Sequence, residues 1–513
     1  MMPPDRPHAR RMAPSDAPIR LLAEQAFSRV AGAPLVEGNA VGLLIDARAN
    51  FDAWFSAIRT ARTSIFVENY IFGDDEVSRE LRDLLSERAA AGVRVFVIRD
   101  WLGCVGESRD GFWAPLRSAG GEVRTYNPIH VSSPFGWLSR DHRKLVVVDS
   151  DVAFVSGVCV SARWLGDEAR GVTPWRDTGI SVRGPAVRDL AVSFAEGWGR
   201  LGEALPSDLP ALTETPPVAG GVPLRVIATQ PTTTGVYRLD QLIASIAQRS
   251  LWLTDAYFVG LAPYVQALIA AARDGVDVRL LVPGTSDVPI VSSLTRAGYR
   301  ALLEGGVRIY EWNGMLHAKT AVIDGRWARV GSSNLNIASW MGNCELDVAI
   351  EDEGFARRMH EQYERDLENA TEIVLHAGRT RRAGRAPARH HPSAVLASKR
   401  SGRATAGALR LANTVGAAIA DRRVLGATEN SVLLGAALAL LAASAIAIAF
   451  PRLLAWPLAV VALWAGLGLL TRWIQARRRR GPTSAEMAGR AAAVERHPRS
   501  RDVPPGETRP VSS

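Results

Sequence analysis

The chain carries His142-Arg-Lys144-Leu-Val-Val-Val-Asp149 and, further on, His317-Ala-Lys319-Thr-Ala-Val-Ile-Asp324. In both, His and Lys stand at i and i+2, and an Asp follows the Lys by five positions with mostly apolar residues between. On a strand, a period of two puts His and Lys on one face while their neighbours enter the core. A single histidine is usually an ordinary core or surface imidazole. Here two of nine histidines occupy corresponding places in two similar segments, which favours a shared task. Two imidazoles suit a reaction with two proton-transfer or nucleophilic roles. One can attack phosphorus and form a phosphoryl-histidine; the other can protonate the departing alkoxide and then deprotonate an incoming alcohol or water. Lys144 and Lys319 would balance charge on the nonbridging oxygens. No metal or other cofactor is required, because positive charge is already supplied, and no dense Asp/His cluster would hold a two-metal site.

The sequels repeat too. Gly331-Ser332-Ser333-Asn334 follows the second copy and Ser156-Gly157-Val158-Cys159 the first. Small residues such as Gly157 and Gly331 let backbone approach a ligand closely, and the Ser332 and Asn334 side chains can add hydrogen bonds to a phosphate.

The elements that must position these groups read as α/β. Phe51–Ile58 has helical periodicity, Thr63–Ile71 reads as a buried strand, Val77–Ala91 as a helix and Val93–Ile98 as the next strand. This βαβ order favours a mainly parallel or mixed sheet flanked by helices. The second half replays it with Tyr237–Gln248 helical, Ser250–Phe258 extended, Ala262–Ala272 helical and Gly275–Val282 extended. The expected organisation is a basic, Pro-rich arm (1–39), a first lobe (40–205), a linker (206–221), a second lobe (222–377) and a basic linker with a short helical part (378–430). Two uncharged runs, 431–450 and 453–470, follow; each reaches the roughly 17–25 residues that span a bilayer, so a transmembrane helical hairpin is expected over 431–470. A basic, disordered tail (471–513) completes the chain. Arginines flank the hairpin at Arg422, Arg423 and Arg477–Arg480, which by the positive-inside rule puts both ends, and the catalytic part, in the cytoplasm. The net charge of +9 suits nucleic acid or anionic lipid. Cys104, Cys159 and Cys344 have no metal-ligand spacing and form no disulfide framework.

The paired His-x-Lys-x4-Asp segments with their Gly/Ser/Asn sequels resemble the phospholipase D superfamily, and within it the bacterial cardiolipin synthases. The resemblance covers roughly residues 40–377. It implies two α/β lobes whose motifs line one active site at their interface, and a ping-pong reaction through a phosphoryl-histidine. Trp175-Arg-Asp177-Thr178 and Asn343-Cys-Glu345 resemble the segments following the two motifs; the resemblance gives Asp177 and Glu345 the role of hydrogen-bonding the catalytic histidines and fixing their tautomers. It makes Asp149 and Asp324 loop supports and Glu68, Tyr70, Asp255 and Tyr257, at matching strand ends, pocket candidates. By analogy His142 is the nucleophile and His317 the general acid/base. Three positions depart from the family pattern: Ser156 where Gly is common, Cys159 in place of Asn and Gly179 in place of His.

The resemblance implies a membrane-bound phosphatidyltransferase with phosphatidylglycerol as donor and acceptor, anionic phospholipids (phosphatidylglycerol, cardiolipin) and the bilayer as partners, and residence at the bacterial inner membrane. The same chemistry serves a phospholipase D that passes the phosphatidyl group to water. It also serves a phosphodiesterase acting on nucleic acid, which the hairpin argues against; no nucleic-acid partner is expected. A non-enzymatic scaffold is disfavoured by the intact His/Lys pairs.

Overall fold

The computed structural model describes residues 25–129, 139–231, 233–376, 379–382 and part of 459–471. The first half contributes β1 (Val36–Ile45), β2 (Ser64–Asn69), β3 (Arg94–Asp100), β4 (Glu122–Tyr126), β5 (Leu145–Val148), β6 (Val152–Ser156) and β7 (Thr178–Arg183). The second contributes β8 (Val222–Thr229), β9 (Ser250–Thr254), β10 (Asp277–Thr285), β11 (Arg308–Met315), β12 (Thr320–Ile323), β13 (Trp327–Gly331) and β14 (Glu345–Ile350), then β15 (Ala370–His376) and β16 (Arg379–Arg382). The strands form one continuous order, β16-β15-β11-β10-β9-β12-β13-β14-β8-β1-β7-β6-β5-β2-β3-β4. Read outward from the β8–β1 seam, the halves share one strand order, so the repeat in the sequence is also a repeat of topology.

Among the named strands, parallel pairing is confined to β2–β3–β4 and β9–β10–β11. The ladders around the motifs are antiparallel. The sheet is therefore mixed rather than mainly parallel. The βαβ crossovers lie at its outer parts, with helix Glu76–Ala90 between β2 and β3 and helix Ala262–Arg273 between β9 and β10. Short β5–β6 and β12–β13 connections allow only antiparallel neighbours there.

The central strands are buried along their whole length, as in β2, β5, β6 and β12–β14. β5 (Leu-Val-Val-Val) and β6 (Val-Ala-Phe-Val-Ser) accordingly read as apolar runs instead of alternating ones. The helix Glu76–Ala90 starts at Asp75, whose carboxylate accepts from Ser78 N at 3.1 Å. The helix Glu353–Glu368 starts at Asp352, which accepts from Phe355 N at 2.6 Å; each satisfies one orphan N–H of the first turn. A single apolar cluster joins the halves, with Phe66, Phe194 and Trp198 from one side and Leu346, Phe355 and Met359 from the other. Each such fully buried side chain contributes about 1.5–3 kcal/mol relative to exposure. At the β1–β8 seam, buried Asn39 donates to Val36 O (2.8 Å) and Val222 O (3.2 Å) and accepts from Ala186 N (2.9 Å). That one amide bridges a register shift and the start of helix Ala186–Arg200.

The transmembrane hairpin is corrected here. Among the described residues no helix is long and apolar enough to cross a membrane. Residues 431–458 and part of 459–471 lie outside the described residues. An uncharged run reports avoidance of water and does not by itself fix a bilayer span. The bilayer-anchored localisation and the topology drawn from the flanking arginines fall with the hairpin. The expectations for residues 1–24 and 383–430 and for the tail beyond 471 also lie outside the described residues.

Candidate active site

Each motif histidine sits three residues before a central strand, so that Lys144 and Lys319 immediately precede β5 and β12. The strands entering the site are pinned across the two halves. His142 N donates to Cys344 O (2.9 Å) and Cys344 N to Arg140 O (2.7 Å); on the other side His317 N donates to Arg176 O (2.7 Å) and Arg176 N to Met315 O (3.1 Å). The two parallel bridges, Asp141 with Cys344 and Arg176 with Leu316, are equivalent under the repeat. Each places the motif of one half beside the carboxylate segment of the other.

The result is a crossed pair of dyads. His142 Nδ1 lies 2.9 Å from Glu345 Oε2 and 3.1 Å from Ser332 O. Both partners are acceptors, so Nδ1 carries the proton and Nε2 keeps its lone pair. Ser332 Oγ donates to the same Glu345 oxygen at 2.6 Å and Asn343 Nδ2 to the other at 3.0 Å. His317 Nδ1 lies 2.8 Å from Asp177 Oδ2, which also accepts from the Trp164 indole at 2.9 Å, while Thr178 N donates to Oδ1 at 2.8 Å. Asp177 and Glu345 are completely buried.

Lys144 Nζ donates to His142 O and Lys319 Nζ to His317 O. Lys319 Nζ also lies 2.8 Å and 3.1 Å from the two ring nitrogens of His317. Burial lowers Lys319 to about 8, with the neighbouring Lys144 charge acting in the same direction. Burial lowers both histidines to about 4, overcoming the carboxylates; the charges of Lys144 and Lys319 add to the effect. Asp177, despite its burial, is held at about 2 by His317 and Lys319, and Glu345 is lowered against burial by His142 and Lys144. Both rings are thus neutral at neutral pH. An anionic phosphodiester arriving beside them raises the affinity of the imidazoles for a proton.

A cavity of about 120 Å³ opens onto the histidines. Of the expected residues, His142, His317, Asn334, Tyr70 and Tyr257 line it. The two tyrosines meet the histidines edge-on, Tyr70 on His142 at 5.0 Å and Tyr257 on His317 at 5.8 Å between centroids. Asn334 Oδ1 is buried with no hydrogen-bond partner, an acceptor awaiting a donor. Ser332 backs Glu345 instead of facing the cavity. Gly157 and Gly331 are steric necessities: an added Cβ would overlap Asp177 Oδ1 in one case and Asp347 Oδ1 in the other.

Asp149 and Asp324 lie at the far ends of the motif strands, both with φ of 53°. Asp149 accepts from Thr63 N (2.7 Å) and Ser64 N (3.0 Å), and Asp324 from Arg249 N (2.7 Å) and Ser250 N (2.9 Å). They fasten the start of β2 and β9 and do not reach the cavity. Glu68 is buried 3.8 Å from Arg143, away from the cavity lining; burial and Asp141 push its carboxyl well above the usual range. Ladder register (Ile65 with Val148, Leu251 with Ile323) makes Asn69, rather than Glu68, the counterpart of Asp255. Asp255 accepts from Tyr257 N (2.8 Å) and Leu335 N (2.7 Å), tying the strand end to the Asn334 loop; burial raises it to about 7.

The departures have structural correlates. Cys159 is buried on the cavity wall, and burial raises its thiol. A Cβ at Gly179 would overlap Asn50 Oδ1, so Asn50 occupies the space a larger residue would need. Sequence reading missed Trp164, which holds Asp177 and packs edge-on against His317 at 5.1 Å. It missed Arg176, whose guanidinium makes two 2.8 Å bonds to Asp366 and also donates to Asp177 O. It missed Asp287, too. Trp164 and Asp287 stand outside any repeated motif, and Asp366 is far from Arg176 in sequence; Asn343 was legible as part of the segment around Glu345.

Residues 239–367 match the family described as cardiolipin synthase, PLD-like domain. The chain is 33% identical over 361 residues to cardiolipin synthase A of Pseudomonas putida (strain KT2440), spanning 68% of this chain and 73% of that protein. It is 34% identical over 356 residues to cardiolipin synthase A of Pseudomonas aeruginosa (strain LESB58), spanning 68% and 71%. Among solved structures, phosphatidylserine synthase of Haemophilus influenzae Rd KW20 superposes with a TM-score of 0.53 at 13% identity, covering 68% of this chain and 91% of that one; this is a likeness of fold. The chain belongs to the phospholipase D superfamily. Within it, the chain is a cardiolipin synthase-like enzyme of the phosphatidyl-transfer type.

Proposed function

We propose that this enzyme moves a phosphatidyl group from phosphatidylglycerol to a second phospholipid, another phosphatidylglycerol, releasing glycerol and forming cardiolipin. The observation that carries this reading is the crossed pair of dyads, His142 with Glu345 and His317 with Asp177, opening onto one cavity. Similarity to cardiolipin synthases supports the choice of an alcohol over water as acceptor, and anionic phospholipids are the partners it implies.

His142 Nε2 attacks phosphorus while His317 protonates the departing glycerol oxygen; the P–O bond breaks as the P–N bond forms. His317 then takes the proton of the acceptor hydroxyl as its oxygen displaces His142. This order is favoured by Lys319, whose ammonium lies 3.1 Å from His317 Nε2 and competes for the lone pair a nucleophile needs. Glu345 and Asp177 hold the Nδ1–H tautomers, the charges of Lys144 and Lys319 beside the histidines balance that of the transferred group, and Asn334 on the cavity wall can donate to it through Nδ2.

The test is an assay on phosphatidylglycerol vesicles that reads cardiolipin, phosphatidic acid and glycerol together. Cardiolipin with equimolar glycerol is expected. Phosphatidic acid alone would make the enzyme a hydrolase, and no product would overturn the lipid substrate.

A further inference from the structure

The cavity is polar on one flank. We propose that Tyr257 and Asp287 form the subsite for the headgroup alcohol, the polyol that leaves the donor and the polyol hydroxyl that enters from the acceptor. The inference rests on the phosphatidyl-transfer reading above, with His317 as acid/base. Both residues line the cavity, and the Tyr257 hydroxyl donates to Asp287 Oδ1 at 2.7 Å. The tyrosine is fixed at both ends of its peptide unit: its N–H donates to Asp255 (2.8 Å) and its carbonyl accepts from Asn336 Nδ2 (2.9 Å). Its ring stands edge-on to His317 at 81°. The pair is therefore built beside the imidazole that must exchange a proton with the alcohol.

The first half lacks the carboxylate. By ladder register the residue matching Tyr257 is Ile71, which also lines the cavity, while the neighbouring Tyr70 meets His142 edge-on. A pseudo-symmetric site thus carries a tyrosine on both sides but, among the described residues lining it, a carboxylate only beside Tyr257. A substrate whose two ester arms differ, one a polyol and one a diacylglycerol, needs such a difference to bind in one orientation. Charge acts in the same sense. Asp287 repels the phosphate, whereas Lys144 and Lys319 attract it, so the phosphorus is held at the histidines; of the two ester arms, the polyol is the one whose hydroxyls can donate to Asp287. Tyr257 uses Oδ1 of that carboxylate, and Oδ2 can accept from a hydroxyl of the polyol beyond the reacting one. Water and simple alcohols lack that second hydroxyl. In the transfer step, the polyol oxygen bonds to phosphorus, the P–N bond to His142 breaks, and the hydroxyl proton passes to His317.

The experiment uses the full chain with phosphatidyl-p-nitrophenol as donor, whose leaving group has no polyol, and equal concentrations of glycerol and 1-propanol as acceptors. The readout is the ratio of phosphatidylglycerol to phosphatidylpropanol per p-nitrophenol released, which is independent of the overall rate. The natural enzyme should favour glycerol, and Asp287→Ala should lower that ratio at least tenfold; Tyr257→Phe, which removes the anchor of Asp287, should lower it in the same direction. An unchanged ratio in Asp287→Ala would overturn the subsite while leaving phosphatidyl transfer standing. Phosphatidic acid as sole product of the natural enzyme would overturn the transfer reading, and the subsite with it.

Discussion

His142 Nδ1 and Glu345 Oε2 lie 2.9 Å apart, although they belong to opposite halves of the chain. The repeat makes the relationship reciprocal, since His317 takes its carboxylate, Asp177, from the first half at 2.8 Å. Neither half contains a complete dyad, so the reactive unit exists only when the β1–β8 seam is formed.

The two histidines act on one phosphorus, so their losses should not add. His142→Ala and His317→Ala should each abolish turnover, and the double variant should be no slower than either alone, because groups acting as a unit are non-additive. Single-turnover cardiolipin formation checks this. A near-normal rate in either single variant would show that the halves do not share a site.

Replacing a buried carboxylate by its amide keeps shape but no longer holds the Nδ1–H tautomer. Glu345→Gln and Asp177→Asn should each lower kcat by roughly 10²- to 10⁴-fold with little change in KM, by analogy with triads in which a carboxylate orients a histidine. Separate kcat and KM measurements distinguish this from lost binding, which would appear in KM.

Lys319 gives the activity an alkaline limit. Its ammonium is charged below its pKa, lowered by burial to about 8, and the charge disappears as pH rises through that value. The rate should therefore fall above about pH 8, and Lys319→Arg, always charged, should be slower but lack this limb. On the acid side, His142 is lowered to about 4, so its lone pair is lost only as pH falls through that region. A pH–rate profile of both proteins settles the assignment; an identical alkaline limb in Lys319→Arg would remove Lys319 as its source.

Asp149 and Asp324 belong to stability. Each accepts several backbone N–H groups at a strand start, and truncation leaves those donors to water or to no partner. Asp149→Ala or Asp324→Ala should cost about 1–3 kcal/mol and lower Tm, with kcat of the folded fraction largely retained. Thermal unfolding beside active-fraction titration checks it; loss of kcat at full Tm would instead put these aspartates in the chemistry.

Gly157 is the closest steric constraint on the His317 dyad, because an added Cβ would overlap Asp177 Oδ1. Gly157→Ala should displace that carboxylate and lower kcat at least tenfold, with a destabilisation of about 1–3 kcal/mol from overpacking. The histidine tautomer, read by nitrogen NMR of the imidazole, should shift with it. An unshifted tautomer at normal rate would show that the loop yields freely.

The sequence by itself determined the repeat, the helix–strand–helix–strand series that opens each half, and the two His/Lys pairs. Those are local matters: burial imposes a period on each segment, and the residue types and spacing of each motif can be read without knowing what surrounds it. The strand face expected for His and Lys was not found, since both pairs precede β5 and β12. The segments holding Asp177 and Glu345 were legible only through the family resemblance, as sequels to recognisable motifs. Tertiary structure alone decided which carboxylate meets which histidine, because that is settled by the Asp141–Cys344 and Arg176–Leu316 bridges between halves. It also decided that Asn69 rather than Glu68 matches Asp255, a question of ladder register that spacing along one strand cannot answer. Trp164, Asp287 and the Arg176–Asp366 pair entered the account only through long-range contacts. The uncharged runs near the C-terminus show the opposite failure. Their composition was plain, yet an apolar run reports avoidance of water and does not by itself fix what covers it; among the described residues no helix is long and apolar enough to cross a membrane.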